Sequence, residues 1–201
     1  MISNHGANRL EWYENPLPRG NPATDSWRLH IIGGIRAHNI EVDDIDKDGE
    51  IEIVARQQAK QGNRIVLWKR GDDGDWRNRF ISCRIGEGLA VGDINGDERS
   101  DIVIPGDWFE APEDPTRGWV DHWAGGRDSG WIEHVVDDSV DYVHGLAVCD
   151  MNNDGELDVV AAEMHQSPQK RVMVYLNKGG AVKWECQVIA HTGPTTSVSP
   201  T

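Results

Sequence analysis

An internal repeat of about 50 residues constrains the fold of this chain more than any other feature of its sequence. One pattern is a Trp followed by three residues and then two apolar residues, and it begins at Trp27, Trp76, Trp131 and Trp184. A second is an acidic loop, with the sequences DIDKDGEIE from Asp44, DINGDERSD from Asp93 and DMNNDGELD from Asp150. A third is an Arg that opens a short apolar segment ending in an aromatic residue, at Arg9, Arg64 and Arg171. Because the patterns recur in one order, the chain is built from equivalent units.

Each unit is predicted to be a four-stranded antiparallel sheet. Short apolar runs with alternating polarity, such as NIEV and RIVLW, are typical of strands, and no stretch has a sustained helical period. One strand precedes the acidic loop, one follows it, and the Arg and Trp segments supply the other two. Four-stranded sheets repeated at this period are the blades of a β-propeller, so the predicted fold class is an all-β propeller. A β-sandwich is the alternative, but it gives no reason for equal repeats.

The repeats divide the single propeller domain into about three and a half blades. A half blade covers residues 1–36, blades follow at about 37–85, 86–142 and 143–190, and a tail covers 191–201. Propellers usually close with about four to eight blades. The sequence therefore predicts a piece of a larger propeller, or a chain that closes by self-association with another copy. In the remaining alternative the tail completes the first half blade and the ring is small and strained.

Composition limits the partners of the chain. With 34 acidic and 20 basic residues the formal net charge is −14, which repels nucleic-acid phosphates and attracts cations. Charged residues make up 27% of the chain, and no apolar run approaches the roughly 20 residues that a membrane-spanning helix needs. We therefore expect no nucleic-acid partner and no membrane span. The three cysteines form no CxxC pair and fit neither a zinc ribbon nor a full disulfide framework.

The acidic loops place side-chain oxygens at positions 1, 3, 5 and 9. Alternate carboxylates in a tight turn converge and repel one another, and a Ca²⁺ ion with oxygen ligands relieves that repulsion. The predicted calcium ligands are Asp44, Asp46, Asp48, Glu52, Asp93, Asn95, Asp97, Asp101, Asp150, Asn152, Asp154 and Asp158. Gly49 and Gly155 at position 6 supply a positive φ that lets the chain wrap the ion. Glu98 stands there in the middle loop, which we expect to be the weakest site.

The loops have two other interpretations. An EF-hand needs a bidentate Glu at position 12 and a helix on each side, and this chain has Ala55 and Ala161 at that position between predicted strands. The EF-hand is therefore excluded. In the second interpretation the loops are acidic β-turns that bind no ion.

The loop sequences DIDKDGEIEIV and DMNNDGELDVV resemble those of the FG-GAP and VCBS repeat families of β-propellers, to which the propellers of integrin α-chains are related. The resemblance covers nearly the whole chain. It implies that each loop joins the first two strands of a blade and binds calcium through the positions given above, and it implies an extracellular or periplasmic location. Glu98 departs from the pattern and puts only the middle site in doubt. A narrower resemblance, carried by EWYENP from Glu11 and the following W-x-x-H-I-I segment, is to sugar-processing lyases akin to aldos-2-ulose dehydratase.

A second group of residues is predicted at the end of the sheets opposite the loops. Because the loop is a hairpin, the start of the strand before it and the end of the strand after it lie together at the opposite edge. His38, Glu87 and His144 each stand six residues before a loop, at the start of the strand that would line the propeller channel. They are predicted to converge as a two-His, one-carboxylate site for a second divalent metal. The alternative is that the histidines cap backbone groups or pack at the channel mouth.

Further titratable and aromatic residues are predicted to form a rim around this group. The rim residues are Tyr142, Arg56, Gln57, Asp107, Trp108, Glu110, Glu163 and His165. Their composition suits a pocket for a saccharide or a sugar acid, which Trp108, Glu163 and His165 would contact. Without a metal, His144 or Tyr142 would abstract a proton α to a carbonyl or carboxylate, while Arg56 would stabilise the enolate. The segment from Glu110 to Gly130, with Trp119 and Trp123, is a predicted flap.

Three functions follow from these patterns. The sequence has no G-x-S-x-G, P-loop or G-x-G-x-x-G motif, which argues against hydrolase and nucleotide-binding functions. A carbohydrate-active lyase or dehydratase that binds calcium is the predicted function. The alternatives are a non-catalytic carbohydrate-binding module and a protein-binding propeller.

Overall fold

The structure is a computed structural model, and it describes residues 2–4, 8–57, 63–115 and 130–191. These residues form fifteen β-strands and contain no helix, so the prediction of an all-β fold is confirmed. Within the same ranges there is accordingly no helix long and apolar enough to cross a membrane. Residues 116–129 of the predicted flap, with Trp119 and Trp123, and residues 192–201 of the predicted tail lie outside the described residues.

The strands form four antiparallel sheets in which neighbouring strands follow one another along the chain. The first sheet contains β1 (Ile2–Asn4), β2 (Arg9–Glu14) and β3 (Arg28–Gly33). The second contains β4 (Ala37–Asp43), β5 (Glu52–Gln57), β6 (Asn63–Arg70) and β7 (Trp76–Cys83). The third contains β8 (Ala90–Gly92), β9 (Asp101–Ile104), β10 (Asp107–Glu110) and β11 (Ile132–Val135). The fourth contains β12 (Val143–Cys149), β13 (Asp158–Glu163), β14 (Arg171–Asn177) and β15 (Trp184–His191).

Each four-stranded sheet has its acidic loop between the first and second strands. The residue at position 9 of the loop opens the second strand and pairs with the last residue of the first, as Glu52 does with Asp43 and Asp158 does with Cys149. This pairing fixes the direction in which the position 9 side chain points, because side chains alternate between the two faces of a strand. No closed barrel or propeller is detected among the residues that the structure describes.

Two of the sheets share an irregularity at the start of their first strands. The pairing of β4 with β5 skips one residue between Ala37 and Asn39, and the pairing of β12 with β13 skips one between Val143 and Gly145. The skipped residues are His38 and His144. A bulge of this kind removes a residue from the regular alternation and redirects its side chain. The two histidines therefore occupy equivalent positions in the second and fourth sheets.

The described chain divides into two compact units, of which the first contains the first two sheets. Its core packs Leu10 and Ile32 of the first sheet against Ile53 and Trp68 of the second. The sheets approach closely at Gly33, where an added Cβ atom would lie 2.1 Å from the Trp68 ring. The glycine therefore makes room for the indole between the sheets.

The second unit contains the third and fourth sheets and has a core of its own. Val103 and Trp108 of the third sheet pack in it with Met173 and Tyr175 of the fourth. The Tyr175 hydroxyl is buried deeply enough to need a partner, and it donates a 2.8 Å hydrogen bond to Asp137. Burial and this hydrogen bond raise the pKa of Tyr175 far above its ordinary value, so the phenol stays protonated.

A buried ion pair ties β13 to β14 in the second unit. The Arg171 guanidinium lies 2.6 Å from Glu163 Oε1, and the Arg171 backbone N–H and the Ser167 hydroxyl donate to Glu163 Oε2, each at 2.8 Å. Burial by itself would raise the pKa of Glu163, but these hydrogen bonds outweigh it and hold the pKa below its usual range. The carboxylate is therefore kept charged inside the protein.

Replacing Arg171 with Met should lower the free energy of unfolding by about 3 kcal/mol, because Glu163 would keep a buried charge without its partner. The native pKa of Glu163 is depressed, so the stability it contributes is present above the usual carboxyl pKa and is lost as the pH falls through the native pKa. The difference between the two proteins should therefore shrink in acid. Urea unfolding at neutral and acidic pH measures both effects.

The matched control is Lys178→Met, which removes the exposed Lys178–Glu185 pair with its 3.1 Å separation. Exposed pairs contribute about 0–1 kcal/mol, so this variant should unfold nearly as the parent does. Equal losses in the two variants would contradict the assigned role of Arg171.

Candidate functional site

The acidic loops share a backbone conformation that wraps the chain around their side-chain oxygens. Positions 4 and 6 have positive φ in all three loops: Lys47 59° and Gly49 89°, Gly96 78° and Glu98 70°, Asn153 61° and Gly155 94°. A left-handed residue other than glycine carries backbone strain of about 1–2 kcal/mol. Glu98 thus adopts the conformation of its glycine counterparts at an energetic cost, and the middle loop keeps the common turn.

The first loop brings three carboxylates together. One oxygen from each of Asp44, Asp46 and Asp48 lies within 4.8 Å of the others. The Oδ1 atom of Asp44 is buried and accepts no hydrogen bond, whereas its Oδ2 atom accepts one from the Gly49 N–H at 3.1 Å. A buried carboxylate oxygen without a donor is unfavourable unless a cation or a proton reaches it. This geometry matches the ligand set predicted at positions 1, 3 and 5.

A lysine already neutralises part of the charge in the first loop. Lys69, near the end of β6, places its Nζ atom 2.5 Å from Asp48 Oδ2 and 3.4 Å from Glu52 Oε1. One ammonium group supplies one positive charge to four nearby acidic residues, so the loop retains a net negative charge. A divalent cation is therefore still attracted to it.

The second and third loops relieve their repulsion in a different way. The Asn95 amide donates to Asp97 Oδ2 at 3.0 Å, and the Asn152 amide donates to Asp154 Oδ2 at 2.9 Å. In the third loop the Glu156 N–H, followed by the Asn152 amide, holds the pKa of Asp154 below its usual range. Because amide donors take the place of a third carboxylate, these loops need a cation less than the first loop does.

The carboxylate at position 9 has a structural role in the second and third loops. Asp101 is fully buried, and it accepts the Ile94 N–H at 3.0 Å and the Ala111 N–H at 2.8 Å. Asp158 is equally buried and accepts the Met151 and Asn177 N–H groups at 2.9 and 2.8 Å. Burial raises the pKa of Asp101 to about 6, against the two N–H groups that favour its charged form. These carboxylates connect each loop to the end of the third strand of its sheet.

At the opposite end of the second unit, Glu87 and His144 lie close together. His144 Nε2 is 3.5 Å from Glu87 Oε2, and the His144 side chain is about half exposed. Tyr142 is also exposed, and its backbone, at a φ of 47°, lets its carbonyl accept the Met164 N–H at 2.8 Å. Two of the predicted catalytic groups are thus adjacent and accessible to solvent. His38 occupies the equivalent bulge in the first unit, with its Nδ1 atom 3.3 Å from Asn39 Oδ1.

Four residues that the sequence analysis assigned to the rim lie in the interior instead: Arg56, Asp107, Trp108 and Glu163. Arg56 is 1% exposed and donates to the Arg84 carbonyl at 3.1 Å. Trp108 belongs to the core of the second unit, and Glu163 is held in the ion pair described above. His165 is exposed. The predicted rim residues that stay accessible are Gln57, Glu110, Tyr142 and His165.

The structure also contains a repeated Trp–His–Glu arrangement that the sequence analysis did not identify. Trp12 stacks on His30 at 4.1 Å between ring centroids, and His30 Nε2 lies 2.8 Å from Glu14 Oε2. In the second unit Trp108 stacks on His134 at 4.2 Å, and His134 Nε2 lies 2.8 Å from Glu110 Oε2. The signal is a W-x-E segment followed by W-x-x-H, which occurs in alternate repeats.

Comparison with known proteins gave no match: no family model, no curated protein and no solved structure is similar to this chain. The resemblance of the acidic loops to the FG-GAP and VCBS repeats stays a prediction.

The position 9 role can be tested by replacing Asp158 with Ala. Without calcium, the variant should lose about 3 kcal/mol of unfolding free energy, because two backbone N–H groups lose their acceptor. Asp154→Ala in the same loop removes an exposed carboxylate and should change the stability by less than about 1 kcal/mol. Urea unfolding in a chelator compares the two. Equal stability of the two variants would show that Asp158 has no structural role of its own.

Proposed function

We propose that this chain is a calcium-binding repeat protein of the FG-GAP and VCBS type, with its tightest site in the first acidic loop. The observation that carries the proposal is the convergence of Asp44, Asp46 and Asp48, together with the buried Asp44 Oδ1 atom that accepts no hydrogen bond. Oxygen ligands at alternate positions of a turn suit a hard divalent cation. Asp93, Asn95, Asp97, Asp150, Asn152 and Asp154 provide the weaker sites.

In this proposal each sheet is one propeller blade. Support comes from the strand order, which is sequential and antiparallel in every sheet, and from the common position of the acidic loops.

Closure through another copy of the chain is part of the same proposal. Light scattering measures it directly, and a purely monomeric protein would remove that part while leaving the metal sites untouched.

Calcium would act on the hairpin rather than in a reaction. The ion would lower the repulsion among the carboxylates of the first loop and hold β4 and β5 together at their turn. Because Lys69 also neutralises Asp48 and Glu52, the apo loop remains folded and calcium adds to its stability. The fold should therefore form without calcium, and calcium should increase its stability.

Calcium should raise the melting temperature of the protein, and a chelator should reverse the change. Preferential binding to the folded state contributes about 2.7 kcal/mol when the free ion exceeds its Kd 100-fold. The double variant Asp44→Asn, Asp46→Asn should lose most of this gain. The double variant Asp72→Asn, Asp138→Asn, which removes two exposed acidic residues outside the loops, is the charge-matched control and should keep the gain. Melting curves unaffected by calcium in the parent protein would contradict the proposal.

A second candidate function is favoured by the Glu87–His144 pair. An exposed imidazole beside a carboxylate can act as a general base, because the carboxylate orients the ring. His144 would abstract the proton α to the carboxylate of a sugar acid, and Tyr142 is near in sequence to protonate the leaving oxygen. Arg56 is engaged inside the protein, so the enolate would need another electrophile, such as a divalent metal bound by Glu87 and His144.

Lyase activity can be followed on polygalacturonate through the ultraviolet absorbance of the unsaturated product. His144→Ala should lower turnover at least about 100-fold, as expected for the loss of a general base. His191→Ala, which removes an exposed histidine of the same unit, should retain turnover, and both variants should keep calcium-dependent melting. Full turnover in His144→Ala would refute this function. If the parent protein shows no turnover, the function that remains is the non-catalytic carbohydrate-binding module.

A further inference from the structure

We propose that a cavity in the first unit is a binding site for an acidic saccharide. The cavity has a volume of about 640 Å³ and lies between the first sheet and the turn that joins β6 to β7. Its lining includes Trp12, His30, Arg70, Asp75, Trp76 and Arg77. A cavity of this size is in the range of small-molecule sites, and its mixture of aromatic and charged side chains suits a polar ring. It lies at the loop end of the second sheet, away from the start of β4.

One wall of the cavity is fixed by the first Trp–His–Glu arrangement. Trp12 and His30 stand opposite each other on β2 and β3, and their rings are nearly parallel at 9°. The Glu14 Oε2 atom lies 2.8 Å from His30 Nε2 and holds the imidazole in this orientation. Both rings are therefore held in place before any ligand arrives, which lowers the entropy lost on binding.

The other wall comes from the end of the second sheet. Arg70 and Trp76 are cross-strand partners at the last position of β6 and the first position of β7. Their side chains leave the same face of the sheet as Trp68, which packs at Gly33 of the first sheet. This face is the one that meets the first sheet, so Arg70 and Trp76 border the cavity together.

The turn between β6 and β7 holds a second arginine in place. Asp73 binds Arg77 through both oxygens, at 3.1 Å to Nη1 and 2.6 Å to Nη2. An added Cβ atom at Gly71 would lie 1.7 Å from Arg77 Nη1, so a larger residue there would displace the guanidinium from this position. The pair presents fixed donors and acceptors for sugar hydroxyl groups.

Arg70 supplies the selectivity for an acidic ligand. Its Nε atom donates to the Gly74 carbonyl at 3.3 Å, and within the described parts of the chain it forms no ion pair with a carboxylate. Its terminal nitrogens stay available for a bidentate bond to a ligand carboxylate, while Trp76 offers a ring face to the sugar. A neutral saccharide would leave this donor pair unused.

The charge of the chain is distributed in a way that permits an anionic ligand here. Residues 1–85 contain 13 acidic and 13 basic residues, whereas residues 86–201 contain 21 acidic and 7 basic residues and so carry the whole net charge of −14. The sequence around the cavity therefore has no net charge to repel a uronate.

The corresponding position in the second unit shows that the cavity is not a general consequence of the repeat. Asn177 pairs with Trp184 as Arg70 pairs with Trp76. Asn177 is fully buried and donates to the Ile94 carbonyl at 2.9 Å, so it serves the structure. Arg70 is exposed and has no comparable structural role. The first unit thus has a polar group at this position that is available to a ligand.

The experiment measures the affinity for trigalacturonate, with maltotriose as the neutral comparison, by titration calorimetry in calcium buffer. The parent protein should bind trigalacturonate at least tenfold more tightly than maltotriose. Arg70→Gln should weaken the binding of trigalacturonate about tenfold or more, because it removes a charge-assisted pair of hydrogen bonds. Arg36→Gln, which removes an exposed arginine outside the cavity, should leave the affinity unchanged.

Two further comparisons distinguish a loss of binding in the cavity from a loss of folding and from an effect of the Glu87–His144 pair. Trp76 packs partly against the core, so Trp76→Leu is compared with the parent by melting before its expected loss of affinity is interpreted. The comparison of arginine and glutamine at position 70 is repeated in the His144→Ala background, where the same loss of trigalacturonate affinity separates this cavity from the Glu87–His144 pair. No binding of trigalacturonate, equal binding of maltotriose, or unchanged affinity in Arg70→Gln would each overturn the proposal. None of these results bears on calcium-dependent melting.

Discussion

The buried carboxylate at the end of each acidic loop is the interaction on which the rest of the loop region depends. A charge placed inside a protein must be compensated by hydrogen bonds or an opposite charge. Asp101 and Asp158 are compensated by backbone N–H groups from their own loop and from the end of the third strand of their sheet, and Glu52 lies beside Lys69. Because the loop must bring an N–H group to this carboxylate, its backbone curls back. The side chains at positions 1, 3 and 5 then meet at the outer side of the turn.

The sequence predicts this part of the structure well because the causes are local. Alternating apolar residues specify strands, and the acidic loops specify tight turns with left-handed positions, which Gly49 and Gly155 favour. Glu98 adopts the same conformation, so the hydrogen bonds of the turn outweigh the preference of the residue. The role of position 9 could not be separated from that of a ligand, because carboxylates at alternate positions look alike in a sequence. Only the register of the second strand shows which of them points inward.

The rim at the opposite end was predicted less well, for a reason that is not local. Which face of a strand is buried depends on the sheet that packs against it, and sequence position alone does not identify that sheet. Arg56, Trp108 and Glu163 stand near strand ends as expected, yet all three are buried, and Arg56 and Glu163 have polar partners in the interior. The bulges at His38 and His144 also escape prediction, because one skipped pairing turns a side chain out of the regular alternation. The pairing of strands and the packing of sheets therefore decide which side chains are buried and which are exposed at this end.

Two adjacent residues of β6 lie beside different features: one is beside the first acidic loop and the other is beside the cavity. Lys69 and Arg70 point to opposite faces of the strand because side chains alternate. Lys69 reaches Asp48 and Glu52 of the acidic loop, and Arg70 borders the cavity with Trp76. A cation in the loop would repel Lys69 and draw the same carboxylates toward itself, whereas it would leave Arg70 on the far face. Alternation along one strand thus places Lys69 beside the proposed cation site and Arg70 beside the proposed anion site, with their charges on separate faces.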